Sequence, residues 1–220
     1  MSDAQVMAGT SLTGLAAFRD IARNSVIGHL VLWCLGLADS ESQTNEEERR
    51  CLSYHAAGKR RLVEIGVWHG VTTRRLRRVM DASGILFAVD PFPPGRLGFS
   101  AQRLIALCEV TPEVNGIVRW VRRTGIEAGR TYATHDGRQV DFIFFDGDHS
   151  YEGLRDDWDA WTPLVARNGI VAIHDSRSSS RRQINDAGSV IFTREVISRD
   201  LRFELVETVD TLTVLRRRTN

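Results

Sequence analysis

The sequence predicts an α/β protein, a mostly parallel sheet with helices on both faces that closes with a C-terminal hairpin. Three observations predict it. From Arg61 onward, short apolar runs of strand length alternate with helical segments, at 62–67, 85–89, 117–121, 142–145 and 170–173. These runs are continuous rather than alternating, as strands buried on both faces are. The chain then ends in two strand-like runs, 203–209 and 212–215, joined by Asp210-Thr211, which reads as a hairpin.

Each element can be justified in order. Residues 1–58 read as an N-terminal helical extension, a cap or a dimerisation element, and 59–220 as the main domain. Within the extension, 25–38 is apolar on most sides, so it is expected to be buried or pressed against a partner. A second helix is predicted over 45–57. Asn45 with Glu48 three residues on has the form of a capping box, and Gly58 is placed to end the helix. Between the fourth and fifth strands, Leu154, Trp158, Trp161 and Val165 recur at helical spacing, one face of a crossover helix lying on the sheet.

Composition limits the function. The 220 residues carry a net charge of +1, which argues against a chain built mainly to hold nucleic acid. Lys59 is the only lysine, so the positive charge is almost all arginine. Three widely spaced cysteines, Cys34, Cys51 and Cys108, form no CxxC pair, so neither a disulfide framework nor a structural zinc site is expected. The N-terminus lacks a signal-peptide pattern, and the apolar run 26–37 is shorter than the roughly 20 residues a bilayer needs. A cytoplasmic protein with no membrane partner is the expectation.

Right-handed crossovers put the strand C-termini on one edge, where ligands bind, so the residues there matter most. After the first strand comes Glu64-Ile-Gly66-Val-Trp-His-Gly70, in which two glycines bracket a strand-to-helix turn. Their missing Cβ atoms would let a ligand approach the backbone. Glu64 leaves a carboxylate under the turn, able to accept from a cationic amino group. A plain glycine-rich turn is the other reading. The second strand ends at Asp90, whose carboxylate can accept from two ribose hydroxyls. The fourth and fifth strands end at Asp146 and Asp175. On neighbouring strands, about 4.8 Å apart, such carboxylates could share Mg²⁺. Without a metal, one of the two would have its pKa pushed up and could take a proton. His149, in the loop above, is a natural general base by residue type. A polar loop capping the next helix is the alternative for Asp148, His149 and Tyr151. The polar segment 176–189 follows the fifth strand and reads as a substrate lid or a surface loop, with Arg177, Arg181 and Arg182 available to an anionic substrate. The other arginine clusters, at 74–78 and 216–218, read as solvated faces.

Together these residues carry a resemblance. Glu64-x-Gly66-x-x-x-Gly70 followed by Asp90 resembles the first two motifs of class I S-adenosylmethionine-dependent methyltransferases. DFIFFDGDHSYEG at 141–153 and LVARNGIVAIHD at 164–175 resemble the small, often metal-dependent O-methyltransferase branch acting on natural-product sugars. The likeness covers about 60–176 and the closing hairpin, and implies a Rossmann-like seven-stranded sheet. It implies that Glu64, Gly66 and Gly70 hold the amino acid part of S-adenosylmethionine, that Asp90 holds the ribose, and that the segment around Thr124 lies near adenine. It further implies a divalent cation on Asp146, His174 and Asp175. Here His174 stands where the branch has an acid, which favours a softer ion than Mg²⁺ or none. The implied activity is methylation of a small-molecule hydroxyl, with Asp146 or His149 as proton acceptor and a homo-oligomer as the assembly.

Other functions fit less well. N-methylation of a small molecule is the nearest variant. A base-amino methyltransferase of RNA or DNA would carry an Asn/Asp-Pro-Pro-aromatic motif after the fourth strand, where this chain has Asp146-Gly-Asp-His149. A nicotinamide-dependent dehydrogenase would need a middle glycine that the turn lacks. A degenerate, non-enzymatic relative would have lost the acidic and histidine positions that are populated here.

Overall fold

The strands are β1 (Arg61–Ile65), β2 (Ile85–Val89), β3 (Ile117–Val121), β4 (Val140–Phe145), β5 (Val165–Ile173), β6 (Phe203–Val209) and β7 (Leu212–Arg217). They form one sheet in the order β3-β2-β1-β4-β5-β7-β6, in a computed structural model that describes residues 26–95 and 98–219. β1 to β5 pair in parallel, and β7 runs antiparallel between β5 and β6. The predicted hairpin and parallel sheet are both present.

The helices are α1 (Val26–Cys34), α2 (Glu46–Ala56), α3 (Val71–Val79), α4 (Ala101–Val110), α5 (Gly125–His135), α6 (Tyr151–Trp161) and α7 (Gly188–Glu195). Period-two alternation sends Val63 and Ile65 of β1 into one core with Trp158 and Trp161 of α6. Leu62 faces the other way, into a core with Leu52 of α2 and Leu76 of α3. Burial on both faces is why the strands read as unbroken apolar runs.

Two expectations are corrected. Val165 does not continue the face of α6. The helix ends at Trp161, a 3₁₀ turn follows over Thr162–Leu164, and Val165 opens β5. Pro163 accounts for this, since it has no N–H to extend the ladder. β3 is an edge strand and largely exposed, Ile117 included, so its apolar run does not mark burial on both faces.

The second predicted helix keeps its capping box. Asn45 Oδ1 accepts from Glu48 N at 3.0 Å, and a Glu48 oxygen accepts from Asn45 N at 2.9 Å. Gly58 follows the helix end with φ +66°. In α1, His29 and Leu32 are buried, whereas Ile27 and Val31, and Leu35 just beyond the helix, are exposed. The expected helical character of residues 1–25 lies outside the described residues. Among the described residues no helix is long and apolar enough to cross a membrane.

The strand order reverses between β1 and β4. The chain moves outward through β2 and β3, then returns to the other side of β1. At such a switch point the flanking loops part and leave a crevice beyond the strand C-termini.

Candidate active site

A cleft of about 570 Å³ lies at that switch point. Its walls come from the turn after β1 (Gly66, Val67, Trp68), the end of β2 (Val89, Asp90, Pro91), the start of α5 (Arg123 to Ile126) and the loop after β4 (Asp146 to His149). A strap from the segment before α2, Glu41 to Gln43, completes it.

On the β1 side the backbone sets the geometry. Gly66 has φ +89°, and a Cβ there would collide with the main-chain oxygen of Asp146. The space left by its missing side chain is therefore filled by the β4 loop, not by a ligand. Gly70, φ +78°, is the N-cap of α3 and packs its Cα against Ala106 of α4, where a Cβ would lie 3.1 Å from that backbone. Gly66 lines the cleft and Gly70 does not.

Asp90 ties this half together. One oxygen accepts from Val67 N at 3.1 Å and Trp68 N at 3.3 Å, and the other from Phe92 N at 2.7 Å. The carboxylate lines the cleft and fixes the turn beside it. Glu64 sits beneath the turn, fully buried and outside the cleft lining. Burial pushes its carboxyl well above the usual carboxylate range, a hydrogen bond from Thr73 opposes this, and the charges of Asp146 and Asp90 add to it.

Thr124 lines the cleft as the N-cap of α5, in a second capping box with Glu127. Beside it is a residue that sequence reasoning missed. Asp157 of α6 is buried against Gly125, whose Cα leaves no room for a side chain. Burial, with Asp148 and Asp156 nearby, raises its pKa to about 7. Asp157 sits on the crossover helix, four residues beyond Gly153, where nothing in the local pattern singles it out.

The β4–β5 side is built from side chains. Asp146 Oδ1 lies 2.8 Å from His174 Nδ1 and 3.7 Å from His149 Nε2. The other His174 nitrogen, Nε2, lies 3.4 Å from a carboxylate oxygen of Glu48 and 3.8 Å from Asp175. Glu48 and His174 are each 1 % exposed. Burial opposes charge on His174, yet Asp146 and Glu48 outweigh it and raise the imidazole to about 10. Burial likewise opposes charge on Glu48, yet His174, the Asn45 backbone and Thr211 hold it down to about 2. The site therefore holds a buried imidazole between two carboxylates, an arrangement that favours its charged form. Glu48 was legible only as a helix cap, a position that ordinarily faces solvent.

The three residues expected to hold a cation do not converge as a set. Asp175, at φ +47°, turns Oδ2 to Arg182 at 2.8 Å. The side chains that do converge are Asp146, His149 and His174, all within 4.8 Å. One oxygen and two nitrogens are not the all-oxygen shell that Mg²⁺ prefers, and His174 already has carboxylates at both nitrogens. The donor set does not fit Mg²⁺.

The segment 176–187 is anchored at several points. Ser176 Oγ donates to Thr211 O at 3.0 Å, Arg177 to Thr208 at 2.6 Å, and Arg181 pairs with Glu47 at 2.9 Å. The clusters read as solvated faces are also engaged. Arg74 and Arg78 pair with Glu113, Arg75 with Glu46, and Arg217 caps main-chain oxygens of Thr162, Pro163 and Val165.

Comparisons with known proteins agree with this architecture. An O-methyltransferase from Bacillus cereus, solved in complex with SAH, is 14% identical with a TM-score of 0.60, over 91% of each chain. The N-methyltransferase NodS from Bradyrhizobium japonicum WM9 is 16% identical with a TM-score of 0.53, over 78% of this chain and 93% of that one. A methyltransferase from Geobacter sulfurreducens is 15% identical with a TM-score of 0.54, over 100% and 98%. At these identities the likeness is one of fold. No curated protein matches. The sequence family described as "Methyltransferase domain" matches residues 63–176, just over half the chain and the stretch that runs from β1 to the end of β5. The chain belongs to this methyltransferase domain family and is an S-adenosylmethionine-dependent methyltransferase.

Proposed function

We propose that this protein methylates a hydroxyl of a small molecule, a natural product or a sugar. One observation carries the reading. Asp90 and the Asp146–His149 pair line the same cleft from opposite sides, so a single ligand can reach both. Asp90 accepts from the ribose hydroxyls, Thr124 and Asp157 flank the adenine, and Glu64, buried beneath the β1 turn, backs the wall at the amino acid end. The bound cofactor supplies an activated methyl group.

At the other end, the chain's own residues orient the acceptor and remove its proton. The acceptor oxygen forms a bond to the methyl carbon as the carbon–sulfur bond breaks, and the electron pair stays on sulfur. His149 takes the hydroxyl proton at Nε2, facing Asp146, which steadies the charge that forms. Holding the two reactants in line is the larger part of the catalysis. Because the donor set does not fit Mg²⁺, no step passes through that ion. Trp68, at φ +51° and 43 % exposed, presents a flat apolar ring at the mouth of the cleft, which suits an acceptor with a planar or sugar face.

A second reading is favoured by charge. Glu41, Asp90, Asp146, Asp148, Asp156 and Asp157 line the cleft against one arginine, Arg123. That field attracts an amine acceptor, and N-methylation is the alternative. The paired arginines on α3 and β7 offer few free cations for phosphates, so neither reading involves nucleic acid.

The test is transfer of a labelled methyl group to matched panels of phenols, sugars and amines, with and without added Mg²⁺. Product from hydroxyl acceptors, unchanged by Mg²⁺, supports the reading. Product from amines alone moves it to N-methylation, and Mg²⁺-dependent product contradicts the metal-free site.

A further inference from the structure

We propose that Glu48, on a helix that precedes the whole sheet, is a positioning residue of the methyl-transfer site, acting through His174 to fix where the Asp146 carboxylate points. The inference rests on the reading of Asp146 as the reaction end of the cleft.

Glu48 is anchored from two sides. One oxygen accepts from Asn45 N at 2.9 Å, within its own helix cap. The other accepts from Thr211 N at 3.1 Å and from Thr211 Oγ1 at 2.8 Å, in the turn between β6 and β7. A carboxylate held by donors on two separate elements cannot swing. A glutamate at the third position of a capping box usually needs only the first of these contacts and stays at the surface. This one is 1 % exposed and lies against His174 Nε2 at 3.4 Å. Burying a carboxylate so deeply is costly unless it is paired and hydrogen-bonded, and it is both.

His174 transmits the anchor. Its ring is 1 % exposed, so water does not compete for either nitrogen. Glu48 holds the ring from behind, and Nδ1 meets Asp146 in front at 2.8 Å. Asp146 lies at the cleft wall, and no arginine or lysine pairs with it among the described residues. Its imidazole neighbours are His174 and, more distantly, His149. If His174 lost its support, the carboxylate would be free to rotate toward His149, 3.7 Å away, and the cleft would lose its fixed acceptor. The chain thus uses a segment outside the matched family region to set a side chain inside it.

The alternative is that Glu48 merely staples α2 to the hairpin. Asn45 separates the two. It caps the same helix and donates to Asp210 in the same turn at 2.6 Å, but it makes no contact with His174. The experiment uses the full chain, labelled for NMR on histidine nitrogens and aspartate side-chain carbons. The ring N–H protons of His174 are assigned by their loss in His174→Gln, and the Asp146 carboxyl carbon by its loss in Asp146→Asn. Wild type and Asn45→Ala are expected to show His174 ring protons protected from exchange and one sharp Asp146 signal. Glu48→Gln, close in shape and able to fold, should lose that protection and shift or broaden the Asp146 signal, with Glu48→Asp intermediate. Affinity for S-adenosylmethionine, measured on the same samples, should stay within about twofold, as for a site the cofactor does not touch. Unchanged signals in Glu48→Gln, or equal changes in Asn45→Ala, would overturn the proposal. Failure of the wild type to bind S-adenosylmethionine would instead remove the reading of the cleft, whatever the NMR result.

Discussion

The two halves of the cleft are held in different ways. On the β1–β2 side, backbone geometry does the work. Gly66 lets two turns touch, and Asp90 binds three main-chain N–H groups, those of Val67, Trp68 and Phe92. On the β4–β5 side, charged side chains from three distant segments meet: Glu48, Asp146 and His174. The first half makes a fixed cradle of main-chain contacts set by one glycine and one carboxylate. The second is a buried ionic cluster whose parts are far apart, so its geometry depends on the whole fold.

Substitutions can break or sharpen this comparison. The largest effect is expected at His174, since removing one member of a buried ion cluster costs about 3–5 kcal/mol. His174→Ala should lower the urea midpoint accordingly. The same cluster sets a pH dependence. His174 has its folded pKa raised to about 10, so its contribution is complete below its ordinary value and lost as pH rises toward 10. Wild-type stability should therefore decline on the alkaline side of neutrality, and His174→Ala should flatten that decline. Next comes Gly66→Ala, which forces a side chain into the Asp146 backbone at a left-handed φ and should cost about 2–4 kcal/mol. A loss under 1 kcal/mol there would mean that the two turns are not rigidly apposed.

His149→Gln should reduce turnover about 100-fold while leaving cofactor affinity unchanged, the usual scale for a lost general base. An unchanged rate would move the proton to Asp146. Smallest is Asn45→Ala, which removes a helix cap and should cost about 1 kcal/mol in thermal or urea unfolding with turnover preserved.

The same contrast explains what the sequence made legible. Strand positions could be read because burial on both faces writes an unbroken apolar run, as in 85–89 and in the core of β4. Asp90, Asp146 and His149 were found because strand ends and the loops after them are local features, Thr124 came only through the family resemblance, and all four line the cleft. The glycines were found for a partly different reason from the one expected, since Gly66 and Gly70 make room for protein backbone. Glu48 and Asp157 were not found. Each lies on a helix surface by local pattern, and only tertiary packing buries it beside the cleft. Asp175 was read by spacing and by resemblance, neither of which can foresee its left-handed backbone or its turn toward Arg182.

The most direct test of the central claim is calorimetric titration of S-adenosylmethionine and S-adenosylhomocysteine into wild type and Asp90→Asn. The amide keeps an acceptor for the Val67 and Trp68 N–H groups but sets its NH2 against the Phe92 N–H, so the unfolding midpoint is measured alongside to separate loss of the turn from loss of the ligand contact. The account predicts that wild type binds both ligands and that Asp90→Asn weakens both by about tenfold or more, the cost of impairing hydrogen bonds to a charged group. Equal affinities in the two proteins, or no binding to wild type, would contradict the assignment of this cleft to the cofactor.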